Sequence, residues 1–159
     1  MSGQCSYRDC KILPSSAYCA FAIVLDVVRY PEFIPWCEQI RIISREKDTI
    51  RAEVVISFKG MRSSYISVIK FLPPTCERGG YIEVRSTEGV FKHLYTLWEF
   101  YPQGSSSKVA FYIEYTLRSR LVNSMVKLMY GAAQKRIIEA FEQRCRTVAN
   151  LYEPYQSDK

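Results

Sequence analysis

The stretch from Ile50 to Lys59, IRAEVVISFK, alternates apolar and polar residues almost without fault. Ile50, Ala52, Val54, Ile56 and Phe58 fall on one side and Arg51, Glu53, Ser57 and Lys59 on the other, with Val55 the one exception. A period of two is the signature of a half-buried strand, one face on a core and one in water. Val109, Phe111, Ile113, Tyr115 and Leu117 repeat the pattern. Strand readings also suit Cys37 to Arg45, Met61 to Leu72, Tyr81 to Thr87 and Phe91 to Tyr101, and a further strand precedes them. Gly104 to Ser107 reads as a hairpin loop, and the other connections are short enough to make the sheet antiparallel. Two segments break the rhythm. Ser15 and Ser16 offer hydroxyl caps to a helix running to about Val28. From about Ser119 to Asn150, Val122, Met125, Met129, Ala133, Ile137, Phe141, Cys145 and Val148 recur at steps of three and four, one long amphipathic helix. Gly131 gives that helix a place to bend. The order strand, helix, six strands, long helix is an α+β architecture, and the apolar sheet face and the helix seam must bury one another.

Composition agrees with one ordinary domain. The 159 residues are 48% hydrophobic and 24% charged, which excludes a disordered chain. The expected boundaries are a single domain over 1–159, with its core at about 5–150 and a short tail at 151–159. Aromatics reach 14%, a load suited to strands and to a large apolar interior or cavity. Of the net charge of +6, +5 lies between Arg118 and Arg146. Such a field suits an anionic lipid, RNA or an acidic protein, or is simply a solvated helix face. The six cysteines form no C-x-x-C pair and accompany one histidine, so neither a metal site nor a disulfide scaffold is expected. The longest apolar run, Ala17 to Leu25, is far short of the ~20 residues a spanning helix needs. Asp9 and Asp26 beside it argue against a signal peptide, and no transit-peptide pattern is present, so a cytoplasmic protein is expected.

Three segments together carry a family resemblance: DVVRYPEFIPWC (Asp26 to Cys37), GVFKHLYTLWEF (Gly89 to Phe100) and VAFYIEYTLRS (Val109 to Ser119), with AFEQRC closing the last helix. They resemble the coenzyme Q-binding protein family within the START-like/polyketide cyclase superfamily, colinearly over about residues 5 to 150. One departure is Val90, where many relatives carry proline in a G-P-F turn. The resemblance implies a helix-grip (START-like) fold, a curved antiparallel sheet wrapped around a long C-terminal helix, with an apolar tunnel between them. It also implies ubiquinone or a similar prenyl lipid as ligand. Bacterial relatives of the RatA type imply instead a ribosome-associated protein that interferes with subunit association. A bacterial member would work at the inner face of the plasma membrane.

Against that background the candidate ligand-binding residues are Phe33, Pro35, Trp36, Phe58, Met61, Tyr65, Phe91, Trp98, Phe111, Ile113, Tyr115, Met125 and Met129. Pro31 and Pro35 stiffen the segment around Phe33, Ile34 and Trp36, which is either one lip of the tunnel or a corner packing the first helix on the sheet. On the residues alone the inward aromatics and methionines read as plain core, and the resemblance adds the cavity. A prenyl tail gains about 0.8 kcal/mol per buried CH₂ in such a slot, and flexible Met side chains suit a floppy guest. Arg120, Lys127, Lys135 and Arg146 share a helical spacing and are the expected contacts for an anionic membrane surface or a ribosome. No RNA-reading signature is present and no DNA is expected. His93 would have to serve any Ser-His or Cys-His catalyst, and neither a G-x-S-x-G elbow nor a phosphate loop accompanies it. No catalytic residue and no catalytic cofactor is therefore expected, with ubiquinone a bound ligand. The leading function is a non-enzymatic lipid carrier supporting respiration, the second a ribosome-directed protein, the third a cyclase-like enzyme.

Overall fold

The computed structural model describes residues 4–58, 60–118 and 136–147, with backbone alone for Phe58 and Met61. Seven strands form one antiparallel sheet: β1 (Cys5–Leu13), β2 (Cys37–Arg45), β3 (Thr49–Phe58), β4 (Met61–Leu72), β5 (Gly80–Gly89), β6 (Phe91–Gln103) and β7 (Ser106–Leu117). Their order across the sheet is β1-β7-β6-β5-β4-β3-β2. Strands β2 to β7 are a meander. The connection from β1 to β2, at opposite edges, carries α1 (Ala17–Leu25) and a 3₁₀ turn (Val27–Glu32). A second helix, α2, occupies 136–147. This is the helix-grip architecture: a curved sheet whose inner face holds α1 and α2.

The alternation in β3 orients it as expected, with Ile50, Ala52 and Val54 buried between exposed or half-buried neighbours. β6 does the same with Leu94, Thr96, Trp98 and Phe100. Register shifts between Ile66 and Val68 on β4 and between Phe91 and His93 on β6 mark bulges, which sharpen the local bend of the sheet. At the β5–β6 junction Gly89 has φ +83, and a Cβ there would lie 2.2 Å from the Ser64 carbonyl oxygen, so only glycine fits. Val90 follows, and its amide donates to that same Ser64 carbonyl at 3.1 Å. Valine thus supplies a hydrogen bond that a proline at this position could not.

Helix α1 begins as expected: the Ser16 hydroxyl accepts from the Cys19 amide at 3.1 Å. It ends sooner, at Leu25 rather than Val28, and the chain tightens into the 3₁₀ turn. The backbone leaves the helical region at Asp26 (φ −77, ψ 65), whose amide still bonds the Ala22 carbonyl. Pro31, which has no N–H to return an α-helical bond to Val27, lies inside the 3₁₀ turn that follows. Six of the nine α1 residues are buried, and Phe21 meets Phe100 edge-on at 5.6 Å. On α2 the buried residues are Ile138, Phe141 and Cys145, so the expected seam holds at Phe141 and Cys145, whereas Ile137 is only partly buried. The rest of the expected long helix, including Gly131, lies outside the described residues.

Candidate functional site: an uncharged cavity under the sheet

Between the sheet's inner face and the two helices lies a cavity of about 240 Å³. Its floor is built from residues of six adjacent strands, β2 to β7, among them Ile40, Val54, Tyr65, Val84, Thr96 and Ile113. The segment from α1 to the start of β2 supplies Val24, Val27, Tyr30, Ile34, Trp36 and Cys37, and α2 supplies Ile137 and Phe141. Phe141 fastens these walls together. Its ring stands edge-on to Tyr30 at 5.1 Å, Phe33 at 5.2 Å and Trp98 at 5.0 Å. Outside this seam, Arg144 lies over the Phe33 ring at 5.1 Å and pairs with Glu32 at 3.2 Å, tying α2 to the 3₁₀ turn.

The lining residues among those described include no Asp, Glu, Lys, Arg or His. The side-chain polar groups that remain are hydroxyls, the indole N–H groups of Trp36 and Trp98, and one thiol. Tyr30 donates its hydroxyl to the Val24 carbonyl, and Ser67 reaches the Ala52 carbonyl at a long 3.5 Å. Burial pushes the Tyr30 and Tyr65 phenols far above their ordinary value, with the neighbouring Cys37 adding to both. Burial likewise pushes the Cys37 thiol up to about 11. All three stay protonated at neutral pH. The cavity can therefore donate and accept hydrogen bonds, but it presents no charge.

Of the expected ligand-binding residues, Trp36, Tyr65, Phe91, Trp98, Phe111 and Ile113 line this space together. Three others do not. Phe33 is held between Phe141 and Arg144, Pro35 is exposed, and Tyr115 packs in a smaller cluster with Val90, Leu94 and Leu117. Phe58 and Met61 are described by backbone only, and Met125 and Met129 lie outside the described residues. So do Arg120, Lys127 and Lys135, while Arg146 stands exposed on α2 in a 3.0 Å pair with Glu142. Sequence reasoning did not single out Val24, Val27, Thr96 or Phe141 as cavity residues. The seam position of Phe141 was the available signal. For Thr96, a polar residue at an inward position of β6 was another.

His93 is remote from the cavity. It sits on the outer sheet face, its Nε2 3.0 Å from a Glu114 oxygen, while the Tyr112 hydroxyl donates to the other oxygen at 2.7 Å. These two hydrogen bonds, Tyr112's first, hold the Glu114 carboxyl below its ordinary range. No group of three or more metal-ligating side chains occurs among the described residues. No helix among the described residues is long and apolar enough to cross a membrane.

With this geometry in place, likenesses to known proteins are informative. Residues 13–142 match the family model described as polyketide cyclase / dehydrase and lipid transport. The ribosome association toxin RatA of Rickettsia prowazekii is 31% identical over 90% of this chain and 97% of that protein. The mitochondrial coenzyme Q-binding protein COQ10 homolog B of Xenopus laevis is 27% identical over 90% of this chain and 59% of that protein. Among solved structures, an 18 kDa protein from Caulobacter crescentus is 28% identical with a TM-score of 0.69, covering 92% of this chain and 99% of that one. The ZhuI aromatase/cyclase from a Streptomyces species superposes with a TM-score of 0.76 at 12% identity, covering 91% of this chain and 95% of that one, a likeness of fold alone. With most of its length matched by that family model, the chain belongs to the polyketide cyclase / dehydrase and lipid transport family.

Proposed function

We propose that this protein is a non-enzymatic carrier that holds the ring and the first part of the tail of a prenylated quinone, ubiquinone by preference, in the cavity under its sheet. The observation that carries the reading is the cavity itself: about 240 Å³, apolar, and uncharged among the described lining residues. An apolar cavity of about 150 Å³ accommodates a benzene ring, so this one has room for a ring with a short substituent. A carrier of this kind delivers its lipid at an anionic membrane surface and supports respiratory electron transport, with the basic stretch from Arg118 to Arg146 as the docking element. The lining also bears on chemistry. A cyclase needs an acid and a base positioned at its substrate, and the described lining residues offer indole N–H groups, hydroxyls and a thiol, with the Tyr65 phenol and the Cys37 thiol held protonated.

The test is to purify the protein from cells that make ubiquinone, extract it with organic solvent and identify the released lipid by mass spectrometry. A near-stoichiometric quinone supports the carrier reading. An empty protein that also refuses added quinone refutes it. A second reading is favoured by the 31% identity to a ribosome association toxin: contact with the ribosome through the same basic stretch. Salt-sensitive co-sedimentation with ribosomes and none with anionic liposomes selects that reading.

A further inference from the structure

Among the donors that line the cavity, one phenol faces its apolar space without a side-chain partner among the described residues. Tyr65 stands on β4 opposite Val54, its side chain turned to the inner face and lining the cavity. Phe91 meets its ring edge-on at 4.8 Å and holds its orientation. Nevertheless the Tyr65 hydroxyl has no hydrogen-bond partner among the described residues, whereas the Tyr30 hydroxyl, across the same cavity, is satisfied by the Val24 carbonyl. A phenol donor facing an apolar space gains a hydrogen bond when a guest in that space supplies an acceptor.

We infer that the Tyr65 hydroxyl is the polar anchor of this cavity, donating to a carbonyl-type oxygen of a neutral, otherwise apolar ligand. The inference rests on the cavity being a ligand site and narrows what that ligand is. An ionised carboxylate or phosphate buried here would lose its hydration, and the described lining residues provide no cation to offset the loss. A plain hydrocarbon would leave the phenol unpaired. A hydroxyl head group would bring a second donor needing its own acceptor, whereas a carbonyl brings none. The phenol stays protonated through the neutral range because burial raises it, so the donor is always present. Cys37, which also lines the cavity, is a much weaker donor, and Tyr65 shares the lining with the Thr96 hydroxyl and the Trp36 and Trp98 indoles, so removing its hydroxyl alone measures its share of the anchoring.

The experiment uses the full chain, wild type and Tyr65→Phe, with three probes measured by titration calorimetry. The probes are a ubiquinone carrying one isoprene unit, hexylbenzene, and decanoate at pH 7.5. The expected result is that Tyr65→Phe lowers the affinity for the quinone relative to hexylbenzene about tenfold, and that decanoate does not bind measurably. A quinone-to-hexylbenzene ratio unchanged within twofold overturns the anchor while leaving the cavity reading intact. Decanoate binding as tightly as the quinone overturns the neutral-ligand assignment. If wild type binds neither apolar probe, the cavity reading itself falls, and the anchor with it. Infrared difference spectra of the quinone on the wild-type protein need no variant. A carbonyl stretch lowered on binding supports the bond to Tyr65, and an unshifted stretch counts against it.

Discussion

Replacing Phe141 by alanine tests whether the ring that joins the walls is what keeps the C-terminal helix on the sheet. The residue is 5% exposed and its ring makes three edge-on aromatic contacts, to Tyr30, Phe33 and Trp98. Truncating a buried Phe to Ala costs about 3–5 kcal/mol through lost transfer energy and the void left behind. Each aromatic pair is worth about 0.5–1.5 kcal/mol beyond area, so the upper half of that range is expected, about 4 kcal/mol. At about 2–4 °C per kcal/mol for a chain of this length, Tm falls by about 8–16 °C. Urea unfolding followed by far-ultraviolet circular dichroism measures the loss directly, and Phe141→Leu, which keeps most of the apolar volume, should lose about 1 kcal/mol. Because the ring borders the cavity, the alanine variant should also gain more thermal stability from an added small arene than wild type does. A loss under about 1 kcal/mol for Phe141→Ala would refute the reasoning, since no well-packed ring of this burial is so cheap to remove.

Two further outcomes follow from backbone and from thiols. Gly89→Ala, which forces a Cβ to within 2.2 Å of a backbone oxygen at positive φ, should destabilise the fold by about 2–3 kcal/mol, whereas Gly104→Ala, at φ +65 with open space around it, should cost about 1 kcal/mol; equal values in urea melts would contradict the assigned hairpin geometry. Cys37 and Cys145 are pushed by burial from 9.0 to about 11 and about 12, so the native state keeps protons that the unfolded chain gives up. Their stabilisation is complete below about pH 9 and is lost as pH rises through about 11 to 12, which urea midpoints taken from pH 7 to 11 should show as a fall confined to the alkaline limb; a midpoint rising there contradicts the burial.

The alternation of apolar residues was enough to orient β3 and β7 correctly, because a period of two fixes which face each side chain takes. It says nothing about what lies opposite. Ile113 and Tyr115 both point inward from β7, two residues apart, yet Ile113 borders the cavity and Tyr115 fills a separate cluster. Depth along a strand is a tertiary property, set by where α1 and α2 rest on the sheet. The Tyr30 to Cys37 segment had the right composition for a lip, and the fold sorts it residue by residue. Tyr30, Ile34, Trp36 and Cys37 turn toward the void, Phe33 turns to Phe141, and Pro35 stays outside. No period governs such irregular backbone, so its orientations were not legible. Ile138 rather than Ile137 is the more deeply buried residue of α2, because a seam read only from steps of three and four leaves adjacent apolar residues interchangeable.

The pairing of β1 with β7 joins Cys5 to Tyr115 across 110 residues of chain. The first strand therefore has no neighbour until the last is made, while every other pairing in the sheet closes within a hairpin or a short connection. During synthesis, β1 and the apolar α1 that follows it emerge early and wait exposed through the production of six strands. Closing so long a loop is slow compared with hairpin formation, so β1 is expected to reach the β7 edge after the hairpins have formed. Until then an unpaired strand and an uncovered greasy helix coexist, a period in which the nascent chain is open to aggregation and to chaperone capture.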